Sequence, residues 1–399
     1  MVTGARSVIV FMRREWVVLV IFAIGAAIRI AVNNVTIFSG ADETAYLNYS
    51  RAIASEPSGY RGVVQFVVNT PSSWLYPTPT RWISFLADAL SCRIAPSCDY
   101  RALTWVSTLS GIAILPAVYA VGRRLLSPSA ALLGGSFAVT SPLLLGLGRR
   151  ALQDEFFVLL VWIAFWAVVR LLDARPRWID YAFGVIALGL AFSAKDSFIV
   201  FYLAFGVMFF TQRTRPLRFW DVSLIIGPPL VWIGGFMLLG GSLGDFVALE
   251  RLVLGFRASP DAYELVNGSG PFYQPIIDFL VLAPFVTLLA IVGCGAILTG
   301  TRGKERRLVA VTLTCFVLFG LLLKNVRYAA AVAPMLALIA GWVVSERVLR
   351  PHRLLRVGGI AAVAVNAAVE GWVFWTVFVV GAVYDPVIVN LLRAVHAIP

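Results

Sequence analysis

Residues 13–46 read RREWVVLVIFAIGAAIRIAVNNVTIFSGADETAY. An apolar run from Trp16 to Asn33 follows Arg13 and Arg14 and precedes the acidic pair Asp42-Glu43. A bilayer core ~30 Å thick is crossed by roughly 20 mostly apolar helical residues, so the run reads as a membrane span. It is too long, and too poorly followed by a small-residue cleavage site, to be read as a removable signal. Ten further apolar runs follow, at 102–122, 130–147, 156–172, 181–194, 197–212, 222–241, 276–299, 308–323, 328–345 and 357–381. Composition agrees: of 399 residues, 60% are hydrophobic and 14% charged, with a mean hydropathy of +0.86. Soluble domains carry about a quarter charged residues, so the ordinary globular classes are excluded. The 12 Trp, 12 Tyr and 27 Phe exclude a disordered chain. The expected fold is an all-α polytopic membrane protein with about eleven spans.

A net charge of +12 would suggest nucleic acid on a soluble protein. Placing Arg6, Arg13 and Arg14 in the cytoplasm and alternating sides gives 19 basic and 6 acidic residues on the cytoplasmic side. The outer side holds 13 basic and 14 acidic residues, with Arg29 and Glu370 inside spans. The whole excess therefore lies on one side, a positive-inside signature; nucleic acid is not implied. The Arg- and Ala-rich composition points to a bacterial inner (plasma) membrane, where the Asn-x-Ser sequons at Asn48 and Asn267 carry little meaning. The chain reads as one transmembrane domain, 1–399, with two long outer loops at 34–101 and 242–275. In the first, Tyr46, Tyr49 and Ile53, then Ile83, Phe85 and Leu86, recur at spacings of amphipathic helices. Cys92 and Cys98 share that loop and are disulfide candidates in an oxidising compartment. Cys294 and Cys315 lie in spans and read as packing residues. The two histidines, His352 and His396, fall on opposite sides and do not support a zinc site.

Paired charges gather where the helices meet the outer boundary: Gly40-Ala41-Asp42-Glu43, Gly148-Arg149-Arg150 with Asp154-Glu155, Lys195-Asp196, and Lys324-Asn325-Val326-Arg327-Tyr328. Singly, the cations read as snorkelling side chains and the acids as solvated helix starts. Together, carboxylates and several cations on one membrane face suit an anionic lipid head and a group that must lose a proton. Arg29, inside the first span, reads as reaching up to this cluster.

In order and spacing, these residues resemble the GT-C membrane glycosyltransferases, in the branch of the protein O-mannosyltransferases and lipid A aminoarabinose transferases. The resemblance rests on Arg29, the pair Asp42-Glu43, the run Tyr76-Pro77-Thr78-Pro79, and Val118 to Arg124. It continues through Arg149 or Arg150 to Asp154, Lys195 at a helix end, Gly270-Pro271-Phe272-Tyr273, and Arg327-Tyr328 with Pro334. Members commonly carry a His in the Pro-rich run; it is absent here, so no role of that His transfers. Some members also continue into a large soluble C-terminal domain, whereas this chain stops about 18 residues after the last span.

The resemblance implies an inverting transfer of a sugar from a polyprenyl-phosphate donor to a glycan, lipid or protein acceptor at the outer face. Asp42 is then the general base, since an acceptor hydroxyl is a poor nucleophile at neutral pH. Arg149 or Arg150, Lys195, Arg327 and Tyr328, with Lys324 in reserve, would bind the donor phosphate and stabilise its departure. Glu43, Asp154 and Glu155 would meet sugar or acceptor hydroxyls, orient the cations, or hold a divalent metal ion, which some relatives use. Arg29 supports them. The alternative is a transporter or flippase of a lipid-linked sugar, which predicts charges spread through the membrane depth.

Overall fold

The computed structural model describes residues 2–33, 40–56, 58–70, 78–172, 176–213, 216–258, 270–300, 303–322, 325–350, 355–383 and 386–397. Among these residues every regular element is helical. In chain order the helices are α1 (Val2–Asn33), α2 (Ala41–Ser55), α3 (Gly59–Asn69), α4 (Trp82–Ile94), α5 (Tyr100–Leu125) and α6 (Pro128–Val139). Then come α7 (Pro142–Gly148), α8 (Asp154–Leu171), α9 (Trp178–Phe192), α10 (Phe198–Gln212), α11 (Ser223–Leu238) and α12 (Leu243–Ala258). The last are α13 (Gln274–Leu282), α14 (Pro284–Gly300), α15 (Glu305–Gly320), α16 (Ala333–Trp342), α17 (Leu355–Phe374) and α18 (Ile388–Ala394).

Five helical segments among the described residues are long and apolar enough to cross a membrane: Trp16–Asn33, Tyr100–Leu125, Phe219–Leu238, Ala330–Leu349 and Val357–Val380. A sixth arises if α6 and α7, bent by 52°, count as one span. The expected eleven are thus not eleven unbroken helices. Run 130–147 breaks at Thr140-Ser141, and run 276–299 breaks at Ala283. In both places a proline follows, Pro142 or Pro284, and the residue before a proline is pushed out of the helical region. Runs 181–194 and 197–212 form helices of only 15 residues each.

At the centre stands α16, all of whose residues are buried. A helix apolar on every side belongs inside a bundle. It touches α6 backbone to backbone: a Cβ on Gly341 would lie 2.3 Å from the Gly134 nitrogen. Small residues allow this approach where helices pack in lipid. Rings of Phe157, Phe165, Phe198, Phe201 and Phe205 fill the space between α8 and α10.

A second core caps one end. Helices α2 and α4 are the amphipathic pair expected in the first loop, and α3 is an addition. Their apolar faces close on each other: Tyr46 and Tyr49 each meet Phe85 at 5.5 Å. Val63 and Val67 of α3 join them, with Phe236 and Phe246 from α11 and α12. Cys92 and Cys98 form a disulfide at the end of α4, while Cys294 and Cys315 are free thiols. The stretch of chain leading into α4 is stitched down by three bonds. Tyr60 Oη donates to Pro79 O (2.6 Å), Trp232 Nε1 to Thr80 O (2.9 Å), and Trp82 Nε1 to Trp232 O (3.0 Å).

Candidate active site

The site forms where four chain segments meet beneath the cap. Helix α7 ends at Gly148, and the turn to α8 is held by α5: Thr108 Oγ1 donates to Gly148 O (3.0 Å) and Ser107 Oγ to Leu152 O (2.5 Å). That turn carries Arg149 and Arg150. Asp154 and Glu155 then open α8, where acids are favoured by the helix dipole. Lys195 and Asp196 occupy the turn between α9 and α10, and Arg327 the turn before α16, its amide bonded to Asn325 Oδ1 at 3.0 Å. Asp42 and Glu43 lie in the first turn of α2.

These segments bring the charges together in a chain of pairs. The Asp154 carboxylate accepts from Lys195 Nζ on one oxygen and from Arg327 Nε, at 3.2 Å, on the other. Arg327 Nη2 extends to Asp42 Oδ2 at 3.4 Å. Asp42 is the open member, its side chain 35% exposed against 3% for Asp154. Glu43 is fully buried and accepts from Arg150 Nε (3.1 Å) and Nη2 (2.8 Å). The Lys195 ammonium sits 4.8 Å from the Tyr328 ring centre, a cation–π contact. Burial acts to raise the Asp154 carboxyl, but Lys195 and Arg327 outweigh it and hold the group well below the usual carboxylate range.

Behind this chain lie Arg29 and Glu155, both buried. Arg29 Nη1 donates to Val139 O at 3.1 Å. A Cβ on Gly111 would stand 2.9 Å from Glu155 Oε1 and 3.0 Å from Arg29 Nε, so both side chains close on the bare face of that glycine. Arg149 is buried in the turn next to Arg150. Lys324, Tyr76, Pro77 and Asn267 lie outside the described residues.

Three residues join the cluster whose partnership the sequence alone does not reveal. Arg81 donates from Nη2 to Asp196 Oδ2 (3.0 Å), from Nε to Asp196 Oδ1 (3.4 Å) and from Nη1 to Tyr46 Oη (3.1 Å). Their signal in the sequence is Pro79-Thr80-Arg81 at the end of the proline-rich run and the adjacency of Asp196 to Lys195. Nearby, Gln153 Nε2 donates to Asp88 Oδ2 at 3.0 Å, and burial pushes the Asp88 carboxyl up to about 7 against that bond. Among the described residues no three His, Cys, Asp or Glu side chains converge, and Glu43, Asp154 and Asp196 each answer a cation.

Residues 83–227 match the family described as dolichyl-phosphate-mannose-protein mannosyltransferase. The structure is similar to ArnT from Cupriavidus metallidurans bound to undecaprenyl phosphate. The TM-score is 0.56 at 14% identity, over 92% of this chain and 71% of that one. It is also similar to the Archaeoglobus fulgidus oligosaccharyltransferase tethered to an acceptor peptide, with a TM-score of 0.57 at 14% identity. That likeness covers 96% of this chain but 56% of the other, so this chain spans just over half its length. The chain has the GT-C fold. No curated protein matches it in sequence. Within this GT-C chain the family match runs from α4 into α11 and takes in Arg149, Arg150, Asp154, Glu155 and Lys195. Asp42, Glu43 and Arg327 lie outside the matched residues, and the structure brings them to the same cluster.

Proposed function

We propose that this protein is an inverting glycosyltransferase that moves a sugar from a polyprenyl-phosphate donor to an acceptor hydroxyl at the outer face of the membrane. The observation that carries this reading is the Asp42–Arg327–Asp154–Lys195 chain, with its one accessible carboxylate at the end of two cations. Two similar structures hold such lipids, undecaprenyl phosphate in ArnT and dolichol phosphate in the Archaeoglobus fulgidus oligosaccharyltransferase AglB, and they support the lipid-phosphate donor.

Asp42 takes the proton of the acceptor hydroxyl as its oxygen attacks the anomeric carbon from the side opposite the phosphate. The bond from that carbon to the phosphate oxygen breaks, and its electron pair stays on the phosphate. Arg327 and Lys195 face that oxygen as negative charge collects there, where fixed cations act most strongly. Asp154, buried between them, sets their positions. Glu43 holds Arg150 in the same way, and Arg81 fixes the turn of Lys195 through Asp196. The sugar, prenol length and acceptor are set by contacts that these residues do not encode.

The test is transfer in proteoliposomes with a matched polyprenyl-phosphate sugar. Asp42→Asn is expected to lose about two to four orders of magnitude in rate, the usual contribution of a general base. Wild-type transfer by that variant refutes the assignment. A transport reading draws on Glu370, buried within the span Val357–Val380, where it accepts from Val286 N at 3.4 Å at the broken start of α14. Lipid-linked sugar flipping that is insensitive to Asp42→Asn favours that alternative.

A further inference from the structure

Helix α4 presents three polar residues on one buried face. Arg81 caps its start, and Ser84 and Asp88 follow at i+3 and i+7, each of them buried. Leu90 and Ile94 look outward, 58% and 76% exposed. The bonds made by the buried face share a destination. Arg81 reaches Asp196, Ser84 Oγ donates to Ala194 O (3.3 Å), and Asp88 Oδ2 accepts from Gln153 Nε2 (3.0 Å). Ala194 and Asp196 flank Lys195, and Gln153 immediately precedes Asp154. Helix α4 therefore holds the chain on both sides of Lys195 and just before Asp154, the two members of the buried ion pair.

The same helix is fastened to α2, which carries Asp42. Near its start, Arg81 Nη1 donates to Tyr46 Oη (3.1 Å); near its end, Arg93 donates from Nη2 to Ile53 O (3.2 Å) and from Nε to Ala54 O (3.1 Å). Between these ties the rings of Tyr46 and Tyr49 pack on Phe85. Helix α4 is thus a strut between the accessible carboxylate and the turns that carry the ion pair. Packing alone does not call for its pattern. Ser84 and Asp88 interrupt an apolar face formed by Phe85, Ala89 and Cys92, and burying a carboxyl there has a desolvation cost that an apolar side chain would not have. The apolar residues already hold the cap together. What the polar ones add is a fixed geometry, and reacting groups tolerate only about 0.5 Å of misplacement.

We propose that Asp88 and Ser84 are positioning residues for the transfer: Asp88 acts through Gln153 on Asp154, and Ser84 acts through Ala194 on Lys195. The inference rests on the transferase reading. It is tested by transfer kinetics in proteoliposomes with a matched polyprenyl-phosphate sugar, and by the NMR signal of the Lys195 ammonium in full-length protein carrying isotope-labelled lysine. The chain has three lysines, Lys195, Lys304 and Lys324, so the signal is assigned by its loss in Lys195→Arg. Asp88→Ala is expected to lower kcat by up to about a hundredfold, the effect of a misplacement near 1 Å, with KM for the donor unchanged and the Lys195 signal shifted. Asp88→Asn should recover the rate, because its amide oxygen accepts the same bond from Gln153. Gln153→Ala severs that bond from the other side and should match Asp88→Ala, with the double variant no slower than either; it reads the proposal alone if Asp88→Ala does not fold. Ser84→Ala should act in the same direction by a smaller factor, since its bond is longer. Leu90→Ala, on the outward face, should behave as wild type. If wild type transfers nothing while the Lys195 signal still moves in Asp88→Ala, the transferase reading fails and the positioning of the pair stands. Wild-type kcat in both Asp88→Ala and Gln153→Ala, or no recovery in Asp88→Asn, overturns the proposal.

Discussion

Asp154→Asn removes the counter-charge of two buried cations at once while keeping the shape of the side chain. Asp154 is 3% exposed, and its partners Lys195 and Arg327 are 5% and 8% exposed. Breaking a buried pair from one side costs about 3–5 kcal/mol, because the remaining charge stays desolvated and unpaired. Lys195→Met is expected to cost less, about 1–3 kcal/mol, since Asp154 keeps Arg327 at 3.2 Å. In the double variant only Arg327 is left without Asp154, and it retains Asp42 at 3.4 Å. The two losses should therefore fall short of additivity by about 1–3 kcal/mol, the coupling typical of residues in one ion-pair network. Asp42→Asn is the control: a one-third-exposed carboxylate in a long pair contributes less than about 1 kcal/mol. Thermal unfolding in detergent, followed by tryptophan fluorescence across these variants and wild type at one scan rate, reads the series. The network is refuted if Asp154→Asn unfolds with wild type, or if the single losses simply add.

Gly341→Ala should destabilise more than any other glycine change in the bundle, since the added carbon would lie 2.3 Å from Gly134 N and 2.8 Å from Ala130 O. These are backbone atoms, so α6 and α16 must separate; loss of the monodisperse peak in size-exclusion chromatography checks this. Gly111→Ala meets side-chain atoms instead and should cost about 1–3 kcal/mol, measured by thermal unfolding, with Arg29 and Glu155 displaced. Asp88 gives a pH signature. Its folded pKa, raised by burial to about 7 from 3.8, means the folded protein holds the proton more tightly. The associated stability is full below about pH 4 and is lost as pH rises towards 7, up to about 4 kcal/mol in all. Asp88→Asn should flatten that part of the stability–pH curve; a curve of unchanged slope between pH 4 and 7 refutes it.

Charge at a helix end is conspicuous against an apolar chain, which is why Asp154, Lys195 and Arg327 are legible as a set in the amino-acid sequence. Their pairing is not, because the partners lie 41 and 173 residues apart. Arg81 reads as the start of an amphipathic segment for the same reason: Asp196 is 115 residues away. Run 130–147 misleads differently, since a hydropathy window averages across a bend that Pro142 marks locally. Asp42 and Glu43 show the limit most clearly. They are adjacent and chemically alike, and both read as a solvated helix start. Successive residues of a helix point about 100° apart, so one turns towards Arg327 with a third of its side chain open and the other meets Arg150 with none exposed. A base must reach its substrate, and a buried carboxylate already bonded to a guanidinium cannot. The resemblance already separates Asp42 from Glu43 as the proposed base; exposure supports that choice through a property decided by Arg150, more than a hundred residues downstream.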